Sequence, residues 1–197
     1  MAFPPAYVAL YVYLEGKTRA QLPIAYTGPL MYIRRLTPAD AQLYRALRLA
    51  ALADSPTSFM PTVEEEIITL TPLELEKRLA PDGHNQVLGA FEDEELVGII
   101  GLLQDPRRKL AHKVILVGVF VNAAARGKGY ATALMKAGIN TAREWDGVRQ
   151  VLLNVRSDNA RAKGLYTKLG FKLYGREPDA ILVDGTFYDE ELMILML

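Results

Sequence analysis

The sequence contains no cysteine and only two histidines, His84 and His112. Without cysteine no disulfide framework can form, and no acyl group can be carried on a cysteine thiol during a reaction. His84 falls in a segment typical of a turn and His112 at the edge of a predicted strand, so both are interpreted as solvated polar residues. Two scattered histidines do not suit a structural zinc site, and we expect no metal. The composition permits a reducing cytoplasm, which is the location that we expect.

Neither sign of charge is in excess, because the chain carries 23 basic and 23 acidic residues. No long-range field would therefore attract nucleic acid or an anionic membrane, and we expect neither as a partner. The apolar run 6–14 is far shorter than a membrane span of about 20 residues, and no basic residue precedes it as in a signal peptide. The 197 residues are enough for one domain with a sizeable core.

Residues 1–30 differ in composition from the rest of the chain, because they are rich in tyrosine and proline. They are interpreted as an extra strand, as an arm that could contribute to a homodimer, or as a segment ahead of a natural translation start at Met31. We expect residues 31–197 to form the functional domain, without a linker or an internal repeat.

The sequence does have a glycine turn between a predicted strand and a predicted helix. The run 114–121 is apolar throughout and predicts a buried strand, and Arg126-Gly127-Lys128-Gly129 then opens a segment with helical spacing. Glycines allow the backbone to approach a ligand closely, and the first N–H groups of a helix have no partner inside it. This combination predicts a site for a phosphorylated ligand, although an ordinary turn between strand and helix would need the same glycines.

The known nucleotide motifs fit this turn badly. Asn122 stands where a P-loop needs its first glycine, and Gly129 follows Lys128 where that motif needs Ser or Thr. Thr132 stands where a dinucleotide fingerprint needs its third glycine. A nucleotide-dependent enzyme is therefore the weaker interpretation.

A second informative segment lies about thirty residues further along the chain. The run 151–155 predicts a strand, and Asn159 follows it at a predicted helix start. The helical pattern includes Ala162, Leu165 and Tyr166, and Gly170 ends it before a short predicted strand at 171–174. Elsewhere the pattern predicts a strand at 32–36, helices at 41–51, from 62 and at 71–79, a hairpin at 86–103 and a final strand at 187–197.

Together the two segments resemble the two signatures of the GNAT superfamily of N-acetyltransferases. Residues 124–129 resemble its pyrophosphate loop, Gln/Arg-x-x-Gly-x-Gly/Ala, with a departure at Ala124, and residues 159–171 resemble its second signature. The resemblance implies an α/β fold with a central mixed sheet and helices on both faces. It also implies acetyl-CoA as the co-substrate, held in a V-shaped cleft where the strand before the loop bulges and separates from its neighbour. The residues expected to contact it are Val119, Val121, Arg126, Gly127, Lys128, Gly129, Tyr130, Ala131, Thr132 and Asn159.

Acyl transfer to an amine needs a neutral amine, a stabilised oxyanion and a protonated leaving thiolate. Because no cysteine is available, we expect direct attack by the amine in a ternary complex, with a strand N–H near Val119 polarising the thioester. The resemblance favours Tyr166 as the general acid over the alternative of a plain core aromatic. It also places Phe59 and Tyr188 beside the acceptor, a primary amine on a small molecule or a protein. The general base is left unassigned, since the acidic runs 64–66 and 189–191 are interpreted as solvated faces.

A different class of function is compatible with the same fold. A protein that binds acyl-CoA without turnover would act as a sensor or an assembly domain. A homodimer is expected for either function, although no residue pattern specifies it.

Overall fold

The computed structural model describes residues 12–13, 31–80 and 82–197. Within these described residues, eight strands form one sheet: β1 Val12–Tyr13, β2 Met31–Arg35, β3 Asn85–Glu92, β4 Glu95–Gln104, β5 Lys113–Val121, β6 Gln150–Arg156, β7 Lys172–Val183 and β8 Thr186–Met196. Their order is β1-β2-β3-β4-β5-β6-β8-β7. The β1–β2 and β5–β6 pairs are parallel and the other pairs antiparallel, so the sheet is mixed as predicted.

Five α-helices in the part of the chain that the structure describes flank the sheet: α1 Ala41–Asp54, α2 Val63–Thr69, α3 Pro72–Leu79, α4 Tyr130–Glu144 and α5 Ala160–Lys168. Local signals explain where they begin. The Thr62 hydroxyl accepts from the Glu65 N–H at 3.2 Å, while the Glu65 carboxylate accepts from the Thr62 N–H at 2.8 Å, forming a capping box at α2. Thr71 caps α3, and Pro72 occupies its first turn, where a missing N–H costs nothing.

Two hydrophobic cores lie on opposite faces of the sheet. On one face α4 and α5 pack with alternate residues of the central strands, and Leu134, Met135 and Val151 are fully buried there. On the other face α1, α2 and α3 pack over β3, β4 and the end of β5, around Leu36, Leu75 and Phe91. Helices on both faces of a mixed sheet are the predicted architecture, and this prediction is confirmed.

Two predictions need correction. The strand expected at 171–174 is much longer, because β7 pairs with β8 from Lys172 to Val183 as the outermost strand of the sheet. The run 114–121 is not buried throughout, because Ile115 and Val117 are exposed on the face away from α4. Of the segment 1–30, Val12 and Tyr13 pair with Tyr32 and Ile33, and its other residues lie outside the described part of the chain.

Candidate active site

The cleft begins where two parallel strands stop pairing. β5 pairs with β6 only at its first residues, and Ile115 opposite Leu152 is the last pair. β6 continues beyond this point by pairing with β8 as far as Arg156 opposite Glu190. The C-terminal halves of β5 and β6 therefore separate, and backbone groups on their facing edges can bind an extended ligand as a further strand would.

A β-bulge in β5 sits at this opening. Ile99 pairs with Phe120 and Gly101 with Val117, so β5 carries one more residue than β4 between the two pairs. Gly118, within the bulge, has a φ of +62°, a left-handed conformation that side chains disfavour. The extra residue reverses the faces of the strand. Val119 and Val121 therefore contact the α4 side, as even-numbered residues do before the bulge.

The glycine loop joins the end of β5 to the start of α4. The Asn122 side chain accepts from the Ala124 N–H at 3.2 Å and holds the 3-10 turn Ala123–Ala125. Gly127 and Gly129 follow with φ of +80° and +93°, and Gly129 is the N-cap of α4. The Ala133 N–H donates to the Gly129 carbonyl at 3.1 Å. Amides earlier in a first turn find no partner inside their helix, so they form an anion-binding terminus.

The other predicted loop residues surround this terminus. Tyr130 begins α4 as a buried side chain, and Ala131 and Thr132 are partly buried in the same turn. The Arg126 N–H is already bonded to the Ala123 carbonyl at 3.2 Å, so the amide donors expected for a diphosphate begin at Gly127.

Both cationic side chains of the loop are engaged with the protein. Arg126 donates from Nε to the Val121 carbonyl at 3.0 Å, and its Nη2 pairs with Asp54 at 2.5 Å. This bond lowers the pKa of the Asp54 carboxyl below its ordinary value. Lys128 pairs with Glu92 at 3.0 Å. Both side chains stay partly exposed, and each is held in an ion pair with another part of the chain.

Tyr166 lies on α5 against the core that contains the separated strand ends. Its side chain is 7% exposed and packs on Phe171, with 6.1 Å between ring centroids. Burial raises the pKa of its hydroxyl to about 12. It belongs to the same cluster as Val119 of β5 and Val155 of β6. Asn159 starts α5, and its side-chain oxygen accepts from the Ala162 N–H at 3.1 Å as a helix cap.

The predicted acceptor residues lie on the opposite face of the sheet, and Phe59 belongs to the loop between α1 and α2. Phe59 packs edge-on against Phe120 of β5, 6.5 Å between centroids. Thr57 accepts a hydrogen bond from Arg156 of β6, whose guanidinium lies 4.9 Å from the Tyr188 ring centroid. The loop therefore spans the cleft from β5 to β6 and brings Phe59 and Tyr188 to the same face of the sheet.

Two acidic residues contradict the prediction of solvated faces. Glu66 is 3% exposed and pairs with Arg48 and Arg78 at 3.0 Å each. Glu190 is 7% exposed and accepts from the Asn154 amide at 3.0 Å. Helical spacing could not have revealed Glu66, because it is the only buried residue of α2 while the apolar Ile67 and Ile68 beside it are exposed. No sequence signal pointed to Arg48.

No group of three or more His, Asp or Glu side chains within residues 31–80 and 82–197 could hold a metal ion. In the same part of the chain, the helices are too short or too polar to span a membrane.

Fold and site together define a class of α/β proteins that bind a phosphorylated ligand between separated strands and a helix N-terminus. The model of the acetyltransferase (GNAT) family matches residues 44–171, more than half of the chain. The chain belongs to this family.

Two curated relatives are similar in sequence. The chain is 32% identical over 140 residues to the mycothiol acetyltransferase of Brachybacterium faecium, a match that covers 70% of this chain and 39% of that protein. It is 32% identical over 120 residues to the L-amino acid N-acetyltransferase AaaT of Escherichia coli, covering 60% of this chain and 72% of that protein. The chain thus spans about two fifths of the first relative.

Among solved structures, the fold is similar to that of YncA from Salmonella typhimurium with its cofactor acetyl-CoA. The TM-score is 0.70 at 22% identity, and the match covers 85% of this chain and 94% of the other. At this identity the likeness concerns the fold alone.

Proposed function

We propose that this protein transfers the acetyl group of acetyl-CoA to a primary amine by direct attack in a ternary complex. The observation that carries the proposal is the junction of three features at one place. β5 bulges at Gly118, it separates from β6 immediately before, and it leads through a glycine loop into the N-terminus of α4. An extended arm fits the separated strands, and a diphosphate fits the amides from Gly127 onward.

The reaction follows from this placement. The neutral amine attacks the thioester carbonyl, the new C–N bond forms, the C–S bond breaks, and a proton from the amine finally resides on the sulfur. An N–H of the bulge near Val119 would stabilise the oxyanion. Tyr166 would donate a hydrogen bond to the leaving sulfur. With a pKa of about 12 its hydroxyl keeps its proton throughout the neutral range. The main role of Tyr166 is therefore to donate a hydrogen bond that stabilises the thiolate.

A small molecule is the acceptor class that the names of the two curated relatives favour. The two curated relatives are named for acetylation of mycothiol and of L-amino acids. The loop between α1 and α2, which contains Phe59, also covers the acceptor face, since it is fixed to β6 through Thr57 and Arg156. A covered face suits a compact acceptor better than a folded protein surface. Homodimer formation and a cytoplasmic location stay predictions.

The test is thiol release from acetyl-CoA against a panel of amino acids, polyamines and peptides. We expect release with at least one small amine, and a Tyr166→Phe enzyme to lose kcat by about 100-fold with little change in KM for acetyl-CoA. Tyr32→Phe is the control, because Tyr32 is a half-buried tyrosine stacked on Phe91 far along the sheet. CoA binding without release from any amine would instead identify an acyl-CoA sensor. Tighter binding of ATP than of CoA would indicate a nucleotide-dependent enzyme.

A further inference from the structure

The guanidinium of Arg48 lies over the bulge on the acceptor face. The side chain extends from α1 and is only 11% exposed. Its Cζ atom is 5.1 Å from the Phe59 ring centroid. Its Nη1 atom is 3.6 Å from the point where a Cβ on Gly118 would stand. A cation is therefore held beside the strand segment at which the proposed acetyl transfer takes place.

One carboxylate fixes this cation. Arg48 donates from Nε to Glu66 Oε1 at 3.0 Å, and the Glu66 side chain is 4% exposed. The same oxygen accepts from Arg78 at 3.0 Å, and Arg78 also donates to the Tyr44 hydroxyl at 3.2 Å. Because two arginines share one carboxylate, the cluster retains one positive charge.

That charge faces the cleft through unused donors. Within residues 31–80 and 82–197, Nη1 and Nη2 of Arg48 donate no hydrogen bond to the protein. A nearly buried guanidinium with idle N–H groups is costly unless an anion completes its hydrogen bonds. The planar fork of arginine matches the two oxygens of a carboxylate. The diphosphate is an unsuitable partner, because its predicted site at the start of α4 lies on the other face of the sheet.

We propose that Arg48 binds the carboxylate of the acceptor, so that the substrate is an amine that carries a carboxylate, as an amino acid does. The inference rests on the proposed function and adds the group that selects the acceptor. Glu66 is a positioning residue in this arrangement, since it orients the guanidinium without facing the substrate. Phe59 supports the cation from its other side.

The experiment compares matched acceptors with matched variants. Each L-amino acid of a panel is paired with its primary amide, which keeps the amine and side chain but removes the negative charge. Thiol release from acetyl-CoA gives kcat/KM for both members of a pair. We expect the wild type to prefer the carboxylate, and Arg48→Met to lower kcat/KM for it by about 10–100-fold, mainly through KM. Activity on the amide should change by no more than about 3-fold.

Two further variants separate recognition from folding. Arg48→Lys keeps the charge but not the fork, and we expect it to recover only part of the preference. Arg78→Met is the control, because Arg78 shares Glu66 yet is 40% exposed and contacts Tyr44 instead of the bulge. It should reduce the thermal stability and weaken the preference for the carboxylate by much less than Arg48→Met does, because the cluster loses its net charge while the Arg48 fork stays in place.

The outcomes are distinguishable. Equal losses on carboxylate and amide in Arg48→Met would overturn the proposal, because Arg48 would then act on the thioester or on the fold. A wild type that acetylates amides or polyamines but no carboxylate would overturn it as well, while the proposed acetyl transfer would stand. Absence of thiol release with every amine, despite calorimetric binding of acetyl-CoA, would contradict the proposed function itself.

Discussion

Arg126 donates a hydrogen bond from Nε to the carbonyl of Val121 at 3.0 Å and so joins the glycine loop to the last residue of β5. Both residues were expected to contact the co-substrate separately, and in the structure they contact each other. Nη2 of Arg126 pairs with Asp54, the last residue of α1. The Cζ atom of Arg126 lies 5.5 Å from the Phe120 ring centroid. Arg126 thus fixes the direction in which the chain leaves the strand.

If the pair between Arg126 and Asp54 shapes the glycine loop, removing either partner should weaken the binding of acetyl-CoA. We expect Arg126→Ala and Asp54→Asn each to raise KM for acetyl-CoA by about 3–10-fold with little change in kcat, because partly exposed charged hydrogen bonds are modest. The double variant should be no worse than Arg126→Ala alone, since that change already breaks the pair with Asp54. Steady-state kinetics of the four proteins measure this coupling.

Arg107→Ala serves as the control, because Arg107 forms an exposed pair with Asp105 after β4, away from the loop. A contrary result would be a much larger rise in KM for Arg126→Ala than for Asp54→Asn. Arg126 would then act on the co-substrate through its bond to Val121 or by direct contact with the phosphates, and not through its pair with Asp54.

The bulge can be tested by one added methyl group. Gly118→Ala places a side chain at φ +62°, which costs about 1–2 kcal/mol of stability, although the nearest atom to the new Cβ, Arg48 Nη1, is 3.6 Å away. Because the strain can be relieved by flattening the bulge, we expect kcat/KM for acetyl-CoA to fall at least about 10-fold. Thermal unfolding and thiol release measure the two effects.

Gly185→Ala is the matched control for that strain. Gly185 has a φ of +76° in the turn between β7 and β8, with open space where a Cβ would stand. It should lose similar stability and keep its activity. Equal activity in the two variants would mean that the bulge geometry does not matter for the reaction.

Helix starts and turns were predictable where residues adjacent in the sequence determine them. Thr62 and Thr71 cap α2 and α3, and the glycines at 127 and 129 take the left-handed conformations that their positions demanded. The length of β7 was not predictable, because exposed polar residues such as Arg176 and Glu177 stay in the strand through pairing with β8. An edge strand can form without alternating apolar residues when a long neighbouring strand pairs with it.

The candidate site was predictable only where it is contiguous in sequence. The glycine loop and Tyr166 belong to local signatures, whereas the Arg48–Glu66 pair joins two residues 18 positions apart on different helices. Acidic runs are usually solvated, so the burial of Glu66 and Glu190 depends on partners that only the fold brings near. The separation of β5 from β6 likewise arises from pairing across the sheet and not from either strand alone.

The buried hydroxyl of Tyr166 should make stability depend on alkaline pH. Its pKa is raised from 10.0 to about 12 by burial, so the unfolded chain loses this proton near pH 10 while the folded chain keeps it. Since the folded state then binds more protons, the free energy of unfolding falls as pH rises. The contribution is complete below pH 10 and decreases by about 2–3 kcal/mol up to pH 12.

Comparison with Tyr166→Phe isolates this contribution from the other groups that titrate in the same range. Chemical denaturation of both proteins from pH 8 to pH 12 gives the difference in their free energies of unfolding. We expect that difference to be constant up to about pH 9 and then to shift by about 2–3 kcal/mol against the wild type. A difference that does not change with pH would mean that the hydroxyl is hydrated and titrates normally. In that case it could lose its proton at a lower pH and act as a stronger acid towards the leaving thiolate than its burial implies.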